Sequence, residues 1–309
     1  MIAPSTLNTL EQPRKKGSSL RREEALWGLI LILPSTLGIV VFAILPILGS
    51  FGISFTDWGG LSLPHWTGLE NYKLAFEDQI AIESIVRTLI FTLISVPLGL
   101  VVSIVLASLI QNLKLDKART FFRTLYYLPM VTIGVATALL FKLLFSLQGP
   151  ANVPFNLFGL EGIDWLGSPS SVLSALAIYS VWQGAGSSII LFLAALANVP
   201  KELYEAAQID GAQPLRLFWH ITLPMISPTI FLVLILSLIG SLQIFEAVLV
   251  MTKGGPGDSS LTIAMYIYNT GFKSFRMGYA TALAWLLSLA LIVLIVLQWR
   301  LQKSWVHYD

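Results

Sequence analysis

Runs without Asp, Glu, Lys or Arg alternate along the chain with shorter polar stretches. The runs cover residues 25–56, 88–113, 124–141, 165–200, 217–245 and 277–299. About 20 apolar residues cross a bilayer as a helix, so each run can supply one span, and the third run is the shortest. The pattern predicts an all-α membrane protein with six transmembrane helices.

Composition supports this class. Hydrophobic residues make up 55% of the chain, charged residues 12%, and the mean hydropathy is +0.77, whereas soluble proteins carry about 25% charged residues. The net charge of +2 offers no basic face for a nucleic acid, and the absence of cysteine excludes a disulfide or a thiolate metal site. The external loops 57–83, 146–164 and 252–276 are rich in Gly, Pro and aromatic residues, which predicts turns and short interfacial helices.

The basic residues predict the orientation in the membrane. Thirteen of the 19 Lys and Arg residues lie before the first span, between spans two and three, between spans four and five, or after the last span. The other six lie in or beside the intervening loops. By the positive-inside rule both termini are cytoplasmic. We expect a cytoplasmic tail at residues 1–24, an uncleaved transmembrane domain at 25–303 and a short cytoplasmic tail at 304–309.

A polar insert at residues 200–224 separates spans four and five. It contains Glu-Ala-Ala-Gln-Ile-Asp-Gly-Ala at 205–212 and Ile-Thr-Leu-Pro at 221–224. Pro200 suits the first turn of a helix, and Gly211 can take the positive φ that ends one. A second short helix would begin near Pro214 and end at Pro224. We predict a helix-turn-helix elbow on the cytoplasmic side.

This insert resembles the coupling loop of binding-protein-dependent ABC importers at every position of the pattern. The resemblance implies the type I importer permease fold, with a coupling helix between spans four and five. It also implies a role in coupling to an ATPase subunit for Glu205, Ala206, Ala207, Asp210 and Gly211. The chain has no Gly-x-x-x-x-Gly-Lys-Ser/Thr loop, so ATP and Mg²⁺ would be bound by the partner ATPase subunits. The chain is then not an enzyme by itself but a non-catalytic subunit of an ATP-driven translocase.

Four further motifs resemble the carbohydrate-importer permeases. They are Phe-Thr-Asp-Trp at 55–58, Gly-Leu-Glu-Asn-Tyr at 68–72, Arg-Thr-Leu-Tyr-Tyr-Leu-Pro at 123–129 and Met-Thr-Lys-Gly-Gly-Pro at 251–256. The match is to the first of two paired permeases, of the maltose and glycerol-3-phosphate type, in a six-span form. It implies a second homologous permease, two ATPase subunits and an external sugar-binding protein as partners, in a bacterial or archaeal plasma membrane.

Polar side chains within the spans are the candidates for solute binding, because lipid cannot satisfy them and they favour a water-filled cavity. The candidates are Ser237, Ser241, Gln243 and Glu246 in span five and Gln183 and Ser187 in span four. Ser237 and Ser241 also match sugar-binding positions of the maltose-type permease. For any one serine the alternative is packing between membrane helices.

Aromatic rings can stack on sugars, which makes Tyr179, Trp182 and Phe245 further candidates, although membrane aromatics more often pack or anchor. A structural role is expected for His220, and Lys142 is expected to extend its amine to the headgroups. Alternatives are the same architecture serving another polar solute, such as glycerol phosphate or a compatible solute, and a secondary transporter, channel or membrane-embedded enzyme. Spans four and five contain no Arg or Lys to bind a phosphate, which favours a neutral glycan.

Overall fold

The computed structural model describes residues 18–304 and Val306. Within these residues all regular elements are helical, apart from an isolated antiparallel bridge between Thr56 and Trp66. The predicted all-α class is confirmed. Residues 1–17 of the predicted N-terminal tail, and most of the predicted C-terminal tail, lie outside the described residues.

The described part of the chain divides into two compact units, with the boundary between Gly52 and Ile53. In the first unit, α1 (Ser18–Ile39) continues through a π-helical turn (Val40–Ile44) into α2 (Leu45–Ile53). The 32 residues from Arg22 to Ile53 form a helix long and apolar enough to cross a membrane. The first predicted span is therefore a helix, and it extends a few residues further towards the N-terminus than predicted.

The second unit contains three further helices of spanning length: α4 (Gln79–Gln111), α8 (Val172–Ala197) and α15 (Met277–Leu301). Helices α4 and α8 pack against each other along two buried clusters, which contain Phe91 and Leu176 in one and Phe192 in the other. These helices correspond to predicted spans two, four and six. The buried faces of α8 and α15 are largely apolar, whereas five of the ten buried residues of α4 are Ser or Thr. Small and hydroxylated residues let membrane helices pack closely.

Predicted spans three and five are not straight helices. Span three consists of α5 (Asp116–Val131) and α6 (Gly134–Leu144), which are bent by 100° across a short break. Span five consists of helix from Pro214 to Met225 followed by α12 (Ser227–Leu242), bent by 70°. A short helix, α13 (Glu246–Met251), follows α12. The described residues thus hold four candidate spans, or up to six if each bent pair is one span.

The break in span three has an identifiable backbone cause. Thr132 and Ile133 both have extended backbone, with ψ of 147° and 125°. Two extended residues cannot continue the hydrogen-bond pattern of a helix, so the chain changes direction. The hydropathy pattern carries no sign of this break, because both sides of it are apolar.

The loops predicted to be external contain the predicted turns and short helices. The helices are α3 (Glu70–Glu77), α7 (Val153–Leu157) and α14 (Ile263–Tyr268). The tight turn predicted for the Gly-Gly-Pro motif is confirmed: Lys253, Gly254 and Gly257 have φ of 55°, 94° and 51°. Glycine reaches such φ values without a steric cost, which explains two of these positions.

Two of the family motifs bind each other. The side-chain amide of Asn71, in the second motif, donates hydrogen bonds to the backbone oxygens of Ser54 at 2.9 Å and Thr56 at 2.8 Å. The Trp58 backbone oxygen accepts a hydrogen bond from the Gly278 amide at 2.9 Å. These motifs therefore hold the loop that follows α2 against α3 and the start of α15, a physical role that the sequence did not reveal.

Asp78, directly before α4, connects α4, α14 and α15 through hydrogen bonds. Its carboxylate accepts hydrogen bonds from the hydroxyls of Tyr266 at 2.5 Å and Tyr279 at 2.7 Å, and from the first amides of α4. Burial raises the pKa of Asp78, but the hydrogen bonds from the tyrosines and the amides of Ala81 and Ile80 outweigh it and lower the pKa below its usual 3.8. Burial and the bond to Asp78 raise the pKa of Tyr266 to about 12. The ionised carboxylate thus ties α4 to α14 and α15.

Candidate functional site

A cavity of about 560 Å³ opens between α4, α8 and α12 and reaches the start of α13. Its wall is mostly apolar, with hydroxyl, amide and carboxyl groups set into it. This combination is typical of small-molecule sites, in which a few polar groups orient a ligand against apolar surface.

All six predicted solute-binding residues lie in this wall. They are Gln183, Ser187, Ser237, Ser241, Gln243 and Glu246. Ser237 and Ser241 are separated by one turn of α12, as the sequence predicted, and Gln243 and Glu246 follow where α12 ends and α13 begins. The structure therefore brings the predicted set together, while its role in binding stays a prediction.

The two wall serines with local hydrogen bonds use them within their own helices. The Ser187 hydroxyl donates to the Gly184 backbone oxygen at 3.0 Å, and that of Ser241 donates to the Leu238 oxygen at 3.0 Å. A hydroxyl has two acceptor lone pairs in addition to its proton. Both oxygens thus keep acceptor capacity for a ligand without any loss of the local bonds.

Helix α4 provides a third side of the cavity, which was not among the predicted features. Its residues Ser95, Gly99 and Ser103 line the same space. They recur every four residues, which places them on one face of a helix, and that spacing was a usable signal. The Ser95 hydroxyl is buried and has no hydrogen-bond partner among the described residues. A buried hydroxyl without a partner is costly, so this group suits contact with water or a ligand.

Glu246 is the one charged side chain among the described residues of the wall. Its carboxylate lies against Gly134, where a Cβ atom would come within 2.7 Å of Oε2. Gly134 is the first residue of α6, whose first amides have no partner inside the helix. A carboxylate is stabilised beside such a helix end, so the charge of Glu246 is supported without a basic side chain.

The three aromatic candidates have different surroundings. Phe245 and Tyr179 line the cavity. Trp182 does not line it and packs on Phe141, with ring centroids 5.0 Å apart. Tyr179 also packs on Phe141, at 5.3 Å, and is buried in the same cluster. Stacking of Trp182 on a solute in this cavity is therefore not supported by its position.

The polar elbow forms as predicted in its main feature. Helix α9 (Lys201–Ile209) ends at Asp210, and Gly211 follows with φ of 78°. The Ala212 amide then bonds to the Ala207 oxygen at 2.9 Å, which closes the helix end. Glu205, Ala206, Asp210 and Gly211 are exposed, and Ala207 is half-buried.

Two details of the elbow differ from the prediction. Pro200 precedes the first turn of α9, with extended ψ of 132°, because the chain turns before the helix begins. The second limb starts at Pro214 with α10 (Pro214–Leu217), as predicted, but it does not end at Pro224. It passes through a π-helical turn (Phe218–Thr222) into α11 (Leu223–Met225). Proline is tolerated in the first turn of α11, since its missing N–H is not needed there.

Tyr204 connects the two limbs of the elbow. Its hydroxyl lies 3.0 Å from that of Thr222. Outside this contact the elbow presents apolar side chains to its surroundings: Ile209 is 87% exposed and Leu215 is 70% exposed. An anchored elbow with exposed apolar side chains is suited to contact another protein.

His220 and Lys142 each lie next to a backbone oxygen. Nδ1 of His220 lies 3.0 Å from the Arg216 backbone oxygen, one turn earlier in the same limb. Lys142 Nζ lies 3.5 Å from the Val250 backbone oxygen. Among the described residues, no group of three or more His, Asp or Glu side chains could hold a metal ion.

Apolar helices of spanning length around a cavity with polar groups in its wall, with a polar elbow between two of them, are typical of an integral membrane transport subunit. The family model described as binding-protein-dependent transport system inner membrane component matches residues 99–305. The chain belongs to this family, and it is thus a permease of the ABC importer class.

Individual relatives agree with this. The chain is 34% identical over 300 residues to YesP, a probable ABC transporter permease protein of Bacillus subtilis (strain 168), covering 96% of each chain. It is 35% identical over 282 residues to MsmF of Streptococcus mutans, a multiple sugar-binding transport system permease protein, covering 90% of this chain and 96% of MsmF.

A solved structure has the same fold. It is a bacterial ABC transporter involved in the import of the acidic polysaccharide alginate. The TM-score is 0.81 at 26% sequence identity, and the match covers 93% of this chain and 97% of the other. The type I ABC importer permease fold that the sequence predicted is confirmed.

Proposed function

We propose that this chain is the permease subunit of an ATP-driven, binding-protein-dependent sugar importer and forms half of its translocation pathway. The observation that carries the proposal is the cavity of about 560 Å³, whose wall has serine side chains from α4, α8 and α12 and one carboxylate. Its place in the fold and the membership of the chain in a binding-protein-dependent family support it.

The chemistry of the wall favours a neutral, hydroxyl-rich solute. Ser187 and Ser241 offer acceptors, and Ser237 and Gln243 offer donors and acceptors. Glu246 offers an acceptor that attracts hydroxyl protons. An anionic solute would meet the carboxylate without a cation to offset it among the described wall residues. The alginate transporter imports an acidic polysaccharide, so the related chains need not share one solute charge.

The elbow is the proposed contact with an ATPase subunit. Glu205, Ala206, Ala207, Asp210 and Gly211 form this surface; the small alanines let a partner backbone approach, and Glu205 supplies a charge. ATP and Mg²⁺ would be bound by the ATPase and not by this chain. Closure of the ATPases would move the elbow and turn the cavity outwards.

The proposed assembly contains this chain, a second homologous permease, two ATPase subunits and an external sugar-binding protein. The distribution of Lys and Arg supports a multi-pass orientation in a bacterial or archaeal plasma membrane with both termini cytoplasmic.

The first test is affinity purification of the tagged chain from its native membrane in mild detergent, with mass spectrometry of the retained proteins. Recovery of a second permease, an ATPase and a sugar-binding protein is expected. Recovery of the chain alone, in a form that still transports, would refute the ATP-coupled assignment and favour a secondary transporter. A binding protein that carries a phosphate ester or a compatible solute would keep the architecture and change the solute.

Coupling is tested by reconstituting the complex with Glu205→Lys. Reversal of charge at the proposed ATPase contact should lower solute uptake per ATP hydrolysed, while the amount of chain in the membrane stays unchanged. Lys201→Glu, at the exposed start of the same helix, is the matched control for a charge reversal. Wild-type uptake by Glu205→Lys would refute the assigned contact.

A further inference from the structure

The break in span three leaves backbone groups that an unbroken helix would pair internally. Helix α5 ends at Val131 and α6 begins at Gly134, so the last carbonyls of α5 and the first amides of α6 have no partners within their helices. In a membrane these groups need partners from the protein, because lipid supplies none. At this break Thr132 supplies two of them locally, since its amide and its hydroxyl bond to the Pro129 oxygen at 3.3 and 2.7 Å. Another span adds further hydrogen bonds.

Helix α8 adds one hydrogen bond on each side of the break, to backbone oxygens that also have local partners in Thr132 and Thr137. On the α5 side, the side-chain amide of Gln183 donates to the Pro129 backbone oxygen at 3.2 Å. On the α6 side, the Tyr179 hydroxyl donates to the Gly134 backbone oxygen at 3.2 Å. Tyr179 and Gln183 are one turn apart on α8, so one face of α8 bridges the break.

Thr137 of α6 completes this arrangement, which we call the break clamp (Tyr179, Gln183 and Thr137). The Thr137 hydroxyl lies 2.9 Å from the Gly134 oxygen and 3.2 Å from Oε1 of Gln183. Its single proton serves either acceptor, so the two sides of the break share one hydrogen-bond network. Thr137 is 5% exposed and is not one of the described residues that line the cavity.

Two of the three clamp residues also belong to the cavity wall. Gln183 and Tyr179 line it, and the carboxylate of Glu246 lies against Gly134 from the same side. The side-chain oxygen of Gln183 accepts from the Thr137 hydroxyl, and one of its two amide N–H groups donates to the Pro129 backbone oxygen. The second N–H is left for a ligand. Any movement of this amide towards a solute therefore weakens its bond across the break.

We propose that Gln183 is a positioning residue in transport: together with Thr137 and Tyr179 it holds the angle between α5 and α6, and this role outweighs direct contact with the solute. The inference rests on the proposed transport function. In the transport cycle the cavity wall and the broken span move as one unit while the clamp is intact. Loss of the clamp frees α6 to change its angle, which slows the step that follows solute binding.

The test separates positioning from binding through Thr137, because this residue does not touch the cavity. Thr137→Val removes the hydroxyl at nearly constant volume, and Thr137→Ser keeps it. Thr124→Val is the matched control, since the Thr124 hydroxyl donates only to Thr120 in its own helix α5. Uptake by the reconstituted complex is measured as a function of solute concentration, with ATP saturating.

Thr137→Val and Gln183→Leu are expected to lower kcat about tenfold, with KM within about twofold of wild type. Thr137→Ser and Thr124→Val should match wild type. A Gln183→Leu variant with a tenfold higher KM and normal kcat, beside a normal Thr137→Val, would overturn the proposal and make Gln183 a solute ligand. Elution of each complex as a single peak in gel filtration excludes misfolding as the cause.

A structural measurement keeps the inference testable even if the solute is not a sugar. The chain has no cysteine, so spin labels on Leu125→Cys and Leu139→Cys, both half-exposed on α5 and α6, report the angle without further changes. A broader distance distribution is expected with Thr137→Val but not with Thr124→Val. Identical distributions would refute the clamp, whereas absence of sugar uptake by the wild type would refute only the proposed function.

Discussion

Two glycines of α8, Gly184 and Gly186, allow a matched test of how closely α5 and α8 pack. A Cβ atom built on Gly186 would lie 2.3 Å from the backbone oxygen of Tyr126 in α5, whereas one built on Gly184 meets nothing within 4 Å. Both positions are inside one helix, so alanine improves helix propensity equally at both, by about 0.5–1 kcal/mol. The difference between Gly184→Ala and Gly186→Ala therefore isolates the close contact.

The cost of Gly186→Ala follows from the geometry. Cβ atoms essentially never approach another heavy atom closer than 3.0 Å, so α5 has to retreat by roughly 0.7 Å, the difference from 2.3 Å. The neighbour is backbone and cannot rotate away, unlike the end of a side chain. Overpacking of this kind costs about 1–3 kcal/mol. We expect Gly186→Ala to be less stable than Gly184→Ala by this amount.

The assay is gel filtration of detergent-solubilised protein after heating, with the midpoint taken from the loss of the native peak. Because membrane proteins often unfold irreversibly, both variants are heated at the same rate and compared with each other. From soluble domains, the expected difference in midpoint is about 3–10 °C. Equal midpoints would refute the claim that Gly186 is required by the approach of the α5 backbone.

Three further variants test other contacts. Asp78→Asn should lower the heating midpoint at pH 7, because the ionised carboxylate, whose pKa is lowered, stabilises the fold. The difference in midpoint between wild type and variant should shrink as the pH falls below 3.8 and the carboxylate is protonated. Equal midpoints at pH 7 would contradict this. Asn71→Ala removes two hydrogen bonds to backbone oxygens, which costs about 1–3 kcal/mol. Proteolysis within residues 57–69 should become faster. An unchanged cleavage rate would count against the role of Asn71. Gly211→Val forces a β-branched side chain to φ of 78°, which costs about 1–2 kcal/mol. ATP-driven uptake should fall without loss of membrane insertion. Normal uptake would refute the role of the elbow.

The elbow illustrates what a local pattern can predict. Gly211 was expected to have positive φ and Pro214 to start a helix, and both expectations hold. Each depends on the conformational range of a single residue and its neighbours. Pro224 was misplaced, because proline ends a helix only when the preceding turn needs its N–H, and here the chain begins a new turn at that point.

The cavity shows the limit of the same reasoning. Ser237 and Ser241 share a face of α12 by helical spacing alone, so their alignment was predictable. That Ser95 of α4 faces the same space depends on how α4 packs against α8 and α12, which spacing within one helix does not determine.

The sequence by itself determined the membrane class, the number of apolar runs, the elbow and the polar faces of spans four and five. These follow from composition, helical periodicity and the φ preferences of glycine and proline, all of which act over a few residues. Tertiary structure alone decided that span three breaks at Thr132 and Ile133, and that Gln183 bonds across this break. A helix break inside a membrane persists where the protein satisfies the freed backbone groups. Thr132 does this locally at Pro129, whereas the reach of Gln183 to the same oxygen is a property of the packed fold.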